Sequence, residues 1–105
     1  MPSTKNTPKI ADPLGEARKC LNEGRYAVTY HAEARQIERL VPLPDVIHAI
    51  EYGYHEKRKD RFDAFHDTWN YSVRGKATDK RNLRVVISFE TNSDLLIITV
   101  VVLKG

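Results

Sequence analysis

The stretch Leu83-Arg84-Val85-Val86-Ile87-Ser88-Phe89-Glu90-Thr91-Asn92-Ser93-Asp94-Leu95-Leu96-Ile97-Ile98-Thr99-Val100-Val101-Val102-Leu103 decides the fold. In its first half Leu83, Val85, Ile87 and Phe89 alternate with Arg84, Val86, Ser88 and Glu90, the period of a half-buried strand. Its second half, Leu95 to Leu103, is apolar and β-branched, which predicts a strand buried on both faces and central in its sheet. Thr91 to Asp94 between them carries turn chemistry, so the two halves close as an antiparallel hairpin. At nine residues the run falls well short of the ~20 that a membrane-spanning helix needs, and no membrane partner is expected. Thr99 is the one polar residue in that run. A hydroxyl bonded to backbone or to the His31 region and a tolerated core threonine both fit.

Working upstream, Tyr71, Val73, Gly75 and Ala77 alternate with Asn70, Ser72, Arg74 and Lys76, and Thr78 to Asn82 reads as a charged turn into the hairpin. Tyr54 to Phe62 predicts an irregular, charged edge strand, and Phe65 to Trp69 a bend that tucks aromatic rings into the core. Before Tyr54 the period is helical. Asp12-Pro13 starts a first helix that Gly24 stops, and a short Arg25 to Val28 segment leads to a second. Thr29 caps that second helix, which runs to about Leu40 before Pro42 and Pro44. A third begins near Pro44, shows Val46, Ile47 and Ile50 on one face, and ends at Gly53 as a left-handed cap. The predicted order is α-α-α-β-β-β-β: an α+β fold with N-terminal helices packed on a four-stranded, mostly antiparallel sheet.

A chain of 105 residues, 41% hydrophobic and 30% charged, suits one globular domain, assigned here to residues 11–105 behind a mobile tail over 1–10. Met1 to Lys9 shows neither a secretory signal nor a transit pattern, so the expected location is the cytoplasm. Cys20 stands alone, which excludes an internal disulfide and a cysteine-rich zinc site. The four histidines lack zinc spacing, and no phosphate loop, dinucleotide fingerprint, nucleophile elbow or kinase signature is present, so no metal or cofactor is expected. His48 and His55 read as surface residues.

Charge is lopsided. Tyr54 to Arg84 holds nine Lys/Arg against five Asp/Glu, and the rest holds eight against nine. A polyanion such as RNA would be drawn to that middle third, although a solvated sheet face would carry the same charge. Upstream, Thr29-Tyr30-His31-Ala32-Glu33-Ala34-Arg35 sets His31 and Arg35 one helical turn apart with Glu38 on the same face. Tyr30, Ala34, Ile37 and Val41 form the opposite, core-facing stripe. His31 or His66 could serve as acid or base near neutral pH, Tyr71 could orient or donate, and Arg35, Arg74 and Lys57 could hold a phosphate. A capping histidine beside a surface Arg35/Glu38 pair is the plainer alternative, as is a packed aromatic at Tyr71.

Tyr30-His31-Ala32-x-x-Arg35, then Val41-Pro42, the Asp45-Val46-Ile47-x-Ala49-Ile50 helix, Gly53 and Tyr71-x-Val73-x-Gly75 resemble a family of small bacterial domains of unknown function with an H-A-x-x-R motif. The layout is similar to RelE-like toxins, especially the MqsR type of mRNA interferase, over about Ala17 to Leu103. That resemblance implies metal-independent cleavage of mRNA, a cognate antitoxin as partner, and leaves the ribosome open as another. It also points to Lys57, Asn70 or Tyr71, and Lys104. The expected catalytic set is His31, Arg35, Tyr71 and Arg74, with Lys57, Lys59, Arg61, Asn70, Lys76, Arg84 and Lys104 binding substrate. The alternative is a non-catalytic nucleic-acid-binding or regulatory module of the same fold.

Overall fold

The computed structural model describes residues 7–104. Its elements run α1 (Pro13–Glu23), β1 (Tyr26–Val28), α2 (Tyr30–Arg39), α3 (Leu43–Tyr52), β2 (Tyr54–His55), a 3-10 turn (Lys57–Lys59), β3 (Arg61–Asp63), β4 (Thr68–Lys76), β5 (Asn82–Phe89) and β6 (Leu95–Leu103). The fold is α+β with three helices, and the sheet is mixed and six-stranded rather than four-stranded.

Local chemistry sets the helix ends. The Asp12 carboxylate accepts the Gly15 N–H at 3.0 Å, Pro13 occupies the first turn, and Gly24 closes α1 at φ 72°. Thr29 caps α2 by accepting the Ala32 N–H at 3.0 Å. Gly53 does not end α3 as the left-handed cap expected of it, because its φ is −92°. It is there for space instead: a Cβ at Gly53 would sit 2.3 Å from both the Ala49 and the Arg74 carbonyl oxygens.

The strands lie in the order β1-β6-β5-β4-β2, with β3 also pairing β4. Two expectations change here. Arg25 to Val28 is not a mere connector, because Tyr26, Ala27 and Val28 pair in parallel with Leu95, Leu96 and Ile97. The single edge strand expected over Tyr54 to Phe62 is instead two short strands flanking the 3-10 turn, both antiparallel to β4. β5 therefore holds the middle of the sheet. β6 lies one place outward, and its register with β5 shifts at Val86/Ile87, where Thr99 and Ile97 are the successive partners and Ile98 is passed over.

One core joins helices to sheet: Leu14, Ala17 and Cys20 of α1, Val46, Ala49 and Ile50 of α3, Tyr71 and Val73 of β4, Leu83, Val85 and Ile87 of β5, and Leu95, Ile97 and Val100 of β6 are all buried. α2 departs from expectation. Its buried residue is Ala32, whereas Tyr30 is 91% exposed and Ile37 76%. Phe65, expected inside, is 91% exposed. The proposed tail lies partly outside the described residues (1–6); Thr7 N donates to Asp67 Oδ1 at 3.0 Å, and Ile10 N donates to the Tyr71 hydroxyl at 2.8 Å. Among the described residues no helix is long and apolar enough to cross a membrane.

Candidate functional site

Tyr71 and Val73 face the helices, so Asn70, Ser72, Arg74 and Lys76 fall on the other side of β4. The register sets Arg61 opposite Asn70 and Asp63 opposite Thr68, and directly opposed side chains share a face. At this end of the sheet a cleft of about 620 Å³ opens between the β3–β4 turn, the β5–β6 turn and Thr29 at the start of α2. Asp63, His66, Thr68, Asn70 and Ser88 contribute its polar lining, and Trp69, Phe89, Leu96 and Ile98 much of the apolar remainder.

The β3–β4 turn builds a histidine–carboxylate pair. His66 Nδ1 lies 2.7 Å from Asp63 Oδ2, and the His66 N–H donates to Asp63 Oδ1 at 3.2 Å. These two bonds hold the Asp63 carboxyl below its usual range, the side-chain contact with His66 being the larger cause. His66 Nε2 has no partner among the described residues and its side chain is 66% exposed. Asp67, at φ 50°, turns the chain back toward β4. Deeper in, Thr68 Oγ1 and Ser88 Oγ lie 3.0 Å apart, and Ser88 Oγ donates to the Trp69 carbonyl at 2.8 Å. Asn70 Oδ1 is buried and accepts no hydrogen bond from any described residue. A buried acceptor left open costs free energy unless something supplies a donor.

Along the same face, charge is already matched. Arg84 holds Glu56 through Nε at 2.7 Å and Nη2 at 3.2 Å, Ser72 Oγ donates to Glu56 at 3.0 Å, and Arg74 Nη1 stands 3.7 Å away. Arg84 first, then Ser72 and the two positive charges, push the Glu56 carboxyl down to about 2 against the opposing effect of burial. Next to it Asp60, with its side chain 1% exposed, meets Lys9 Nζ at 2.9 Å and His55 Nε2 at 2.8 Å, and accepts the Ser72 N–H at 3.0 Å. His55 is thus no free surface residue. His48 Nδ1 likewise lies 2.8 Å from the Lys76 carbonyl oxygen.

The four expected catalytic residues do not meet. His31 is exposed on α2, and Arg35 beside it pairs with Glu38 at 2.5 Å. Tyr71 is 2% exposed inside the core, where burial raises its hydroxyl pKa. Arg74 sits on the opposite sheet face, engaged by Glu56. Of the expected binding residues, Lys57, Lys59 and Arg61 are exposed and, among the described residues, without an acidic partner. Arg84 is bound to Glu56, Lys76 Nζ donates to Asn82 at 3.1 Å, Asn70 lines the cleft, and Lys104 is exposed just beyond β6. Sequence reading singled out His66 but missed Asp63, Thr68 and Ser88. The available signal was Asp63-x-x-His66, a spacing at which a turn brings carboxylate and imidazole together.

Among the described residues no three His, Cys, Asp or Glu side chains gather as a metal ion would require. A family model described as "Domain of unknown function (DUF4258)" matches residues 28–102. No curated protein and no solved structure matches the chain.

Proposed function

We propose that this chain, which belongs to the DUF4258 family, is a toxin-like endoribonuclease that cleaves mRNA at the cleft between the β3–β4 and β5–β6 turns. The observation that carries the reading is the Asp63–His66 pair at that cleft, next along the chain to the exposed cations Lys57, Arg58, Lys59 and Arg61. The reaction class is the one implied by the resemblance to RelE- and MqsR-type interferases, but the base assigned to it is His66 rather than His31.

In this reading Asp63 fixes the imidazole with its proton on Nδ1 and stabilises the imidazolium that forms. His66 Nε2 takes the proton of a ribose 2′-hydroxyl, and the 2′-oxygen attacks the adjacent phosphorus. The P–O5′ bond breaks, and the 5′-oxygen takes a proton from water at the open mouth. A 2′,3′-cyclic phosphate and a 5′-hydroxyl remain. Lys57, Lys59 and Arg61 draw the backbone in and offset charge on the phosphorane. A cognate antitoxin and the ribosome stay in the proposal as partners, and the uncovered Tyr30 and Ile37 of α2 give an antitoxin apolar surface.

Purified protein is incubated with labelled mRNA fragments in EDTA, with and without ribosomes, and fragment ends are mapped. Cyclic-phosphate ends are expected, with His66→Ala slower by about 10²–10⁴-fold. Equal cutting by His66→Ala would remove the assignment. One arrangement favours the alternative, a nucleic-acid-binding module without catalysis: Glu56 already engages Arg74 and Arg84. Wild type that binds RNA and never cuts it would establish that alternative.

A further inference from the structure

Phe65 is an anomaly of surface chemistry: a phenyl ring 91% exposed on a short polar turn, held edge-on to the His66 imidazole with ring centroids 4.8 Å apart and planes at 88°. Such exposure forgoes the burial that normally recovers an aromatic side chain from water. Among the described residues it belongs to no hydrophobic core cluster, and Trp69 and Phe62 pack against each other without it.

Its surroundings name an occupant. Arg61 lies four positions upstream and follows a 3-10 turn made only of Lys57, Arg58 and Lys59, all exposed. Just downstream, Asn70 holds a buried acceptor inside the cleft that has no partner among the described residues. Cations, a free aromatic face and a sunken hydrogen-bonding group fit a polyanion whose planar groups are unpaired. Bases held in a duplex cannot stack on a side chain or reach into a cleft, whereas those of a single strand do both.

We infer that the site takes single-stranded RNA, with Phe65 as the platform on which a base beside the scissile phosphate stacks and Asn70 receiving the polar edge of an unpaired base. This rests on the ribonuclease reading for where the scissile phosphate lies, but its test does not depend on cleavage. Binding of a fluorescent eight-nucleotide RNA, fully 2′-O-methylated so that it cannot be cut, is measured by anisotropy beside a hairpin duplex of matched charge. Phe65→Ala is expected to weaken single-strand binding about tenfold, to leave the duplex unchanged, and to keep the salt dependence, which reports phosphate contacts. Phe65→Trp should retain binding and Phe65→Leu should not. Because the ring is exposed, the variants should fold as wild type does, checked by circular dichroism.

Equal single-strand affinity for wild type and Phe65→Ala would overturn the inference. So would equal losses on single strand and duplex, no binding by wild type, or a Phe65→Leu variant that binds normally, which would make the site a merely apolar surface. Binding that follows this pattern in a protein that cuts nothing would sink the ribonuclease reading and leave the single-strand site standing. Cutting that depends on His66, with affinity indifferent to Phe65, would do the reverse.

Discussion

α2 and α3 are each ten residues long and almost adjacent in the chain, yet α3 buries Asp45, Val46, Ala49 and Ile50 while α2 buries only Ala32. The difference lies in what each helix packs on. α3 lies across the face of the sheet, where a whole apolar stripe finds cover. α2 begins where β1 stops pairing, after Ile97, and continues along the edge of β6 that β1 leaves open. An edge has carbonyls to satisfy as well as side chains to cover. Thr29 Oγ1 donates to the Ile98 carbonyl at 3.0 Å, and Arg39 Nη1 donates to that of Val100. Arg39 of α2 therefore turns inward beside the small Ala32, while the large apolar Tyr30 and Ile37 face water. Amphipathic spacing tells which residues share a face, and only the neighbour decides which face goes in.

The comparison is broken most forcefully at the closest approach of α3 to the sheet. A Cβ on Gly75 would lie 2.3 Å from the Ala49 carbonyl oxygen and 2.8 Å from its Cα. Backbone cannot yield as a flexible side chain would, so Gly75→Ala should destabilise the fold by about 3 kcal/mol. Urea unfolding followed by circular dichroism measures it. A loss under about 0.5 kcal/mol, the scale of an ordinary surface change, would mean that α3 is not seated on β4 as described.

The start of α3 gives a second, pH-dependent contrast. Asp45, 5% exposed, accepts from both the N–H and the hydroxyl of Thr78, with Arg81 Nη2 at 3.8 Å. The Thr78 hydroxyl first, then its N–H and the Arg81 charge, hold the carboxyl below its usual value against the opposing effect of burial. A carboxyl depressed in the folded state contributes stability that is fully present above its unfolded pKa of about 3.9, and loses it as pH falls through the folded value. Asp45→Asn should cost about 2 kcal/mol at neutral pH by weakening a buried hydrogen-bonded anion. It should also flatten the fall in stability below pH ~4. Stability–pH curves of equal slope for variant and wild type in that range would show that Asp45 contributes nothing through its charge.

What could be read in advance was local. Asp12-Pro13, Gly24 and Thr29 mark helix ends through bonds made within four residues, and the alternation over Tyr71–Ala77 and Leu83–Phe89 places Tyr71, Val73, Leu83, Val85 and Ile87 in the core as expected. What could not be read was made by distant chain. β1 is a strand only because Leu95 to Ile97 offer it an edge, and three residues carry no period of their own. Gly53 looked like a helix stop, yet its reason lies partly in the Arg74 carbonyl, more than twenty residues away. The candidate site was half legible. Lys57, Lys59 and Arg61 follow from the charged segment and Asn70 from the resemblance, but Arg74 and Arg84 lose their freedom to Glu56, a partner no spacing in the chain announces. Phe65 was misplaced because an aromatic residue in a loop ordinarily turns inward, and here it does not.

The smallest expected effect falls at the end of α2, where the two helices differ in how they stop. Leu40 takes the left-handed conformation at φ 53° and ψ 51°, its N–H turned toward the Gln36 and Ile37 carbonyls. Its own carbonyl accepts from Arg81 Nη2 at 2.8 Å. A residue with a Cβ pays about 1–2 kcal/mol for that conformation, and Gly does not. Since the side chain is 78% exposed, Leu40→Gly forfeits little burial. It does add freedom to the unfolded chain, worth about 0.4–1 kcal/mol in the opposite sense. The balance is a gain of about 0.5 kcal/mol, readable as a small rise in the urea midpoint at unchanged slope. A loss of 1 kcal/mol or more would show that the Leu40 side chain anchors the end of α2 after all, and the contrast between a helix laid on a face and one laid along an edge would have to be redrawn.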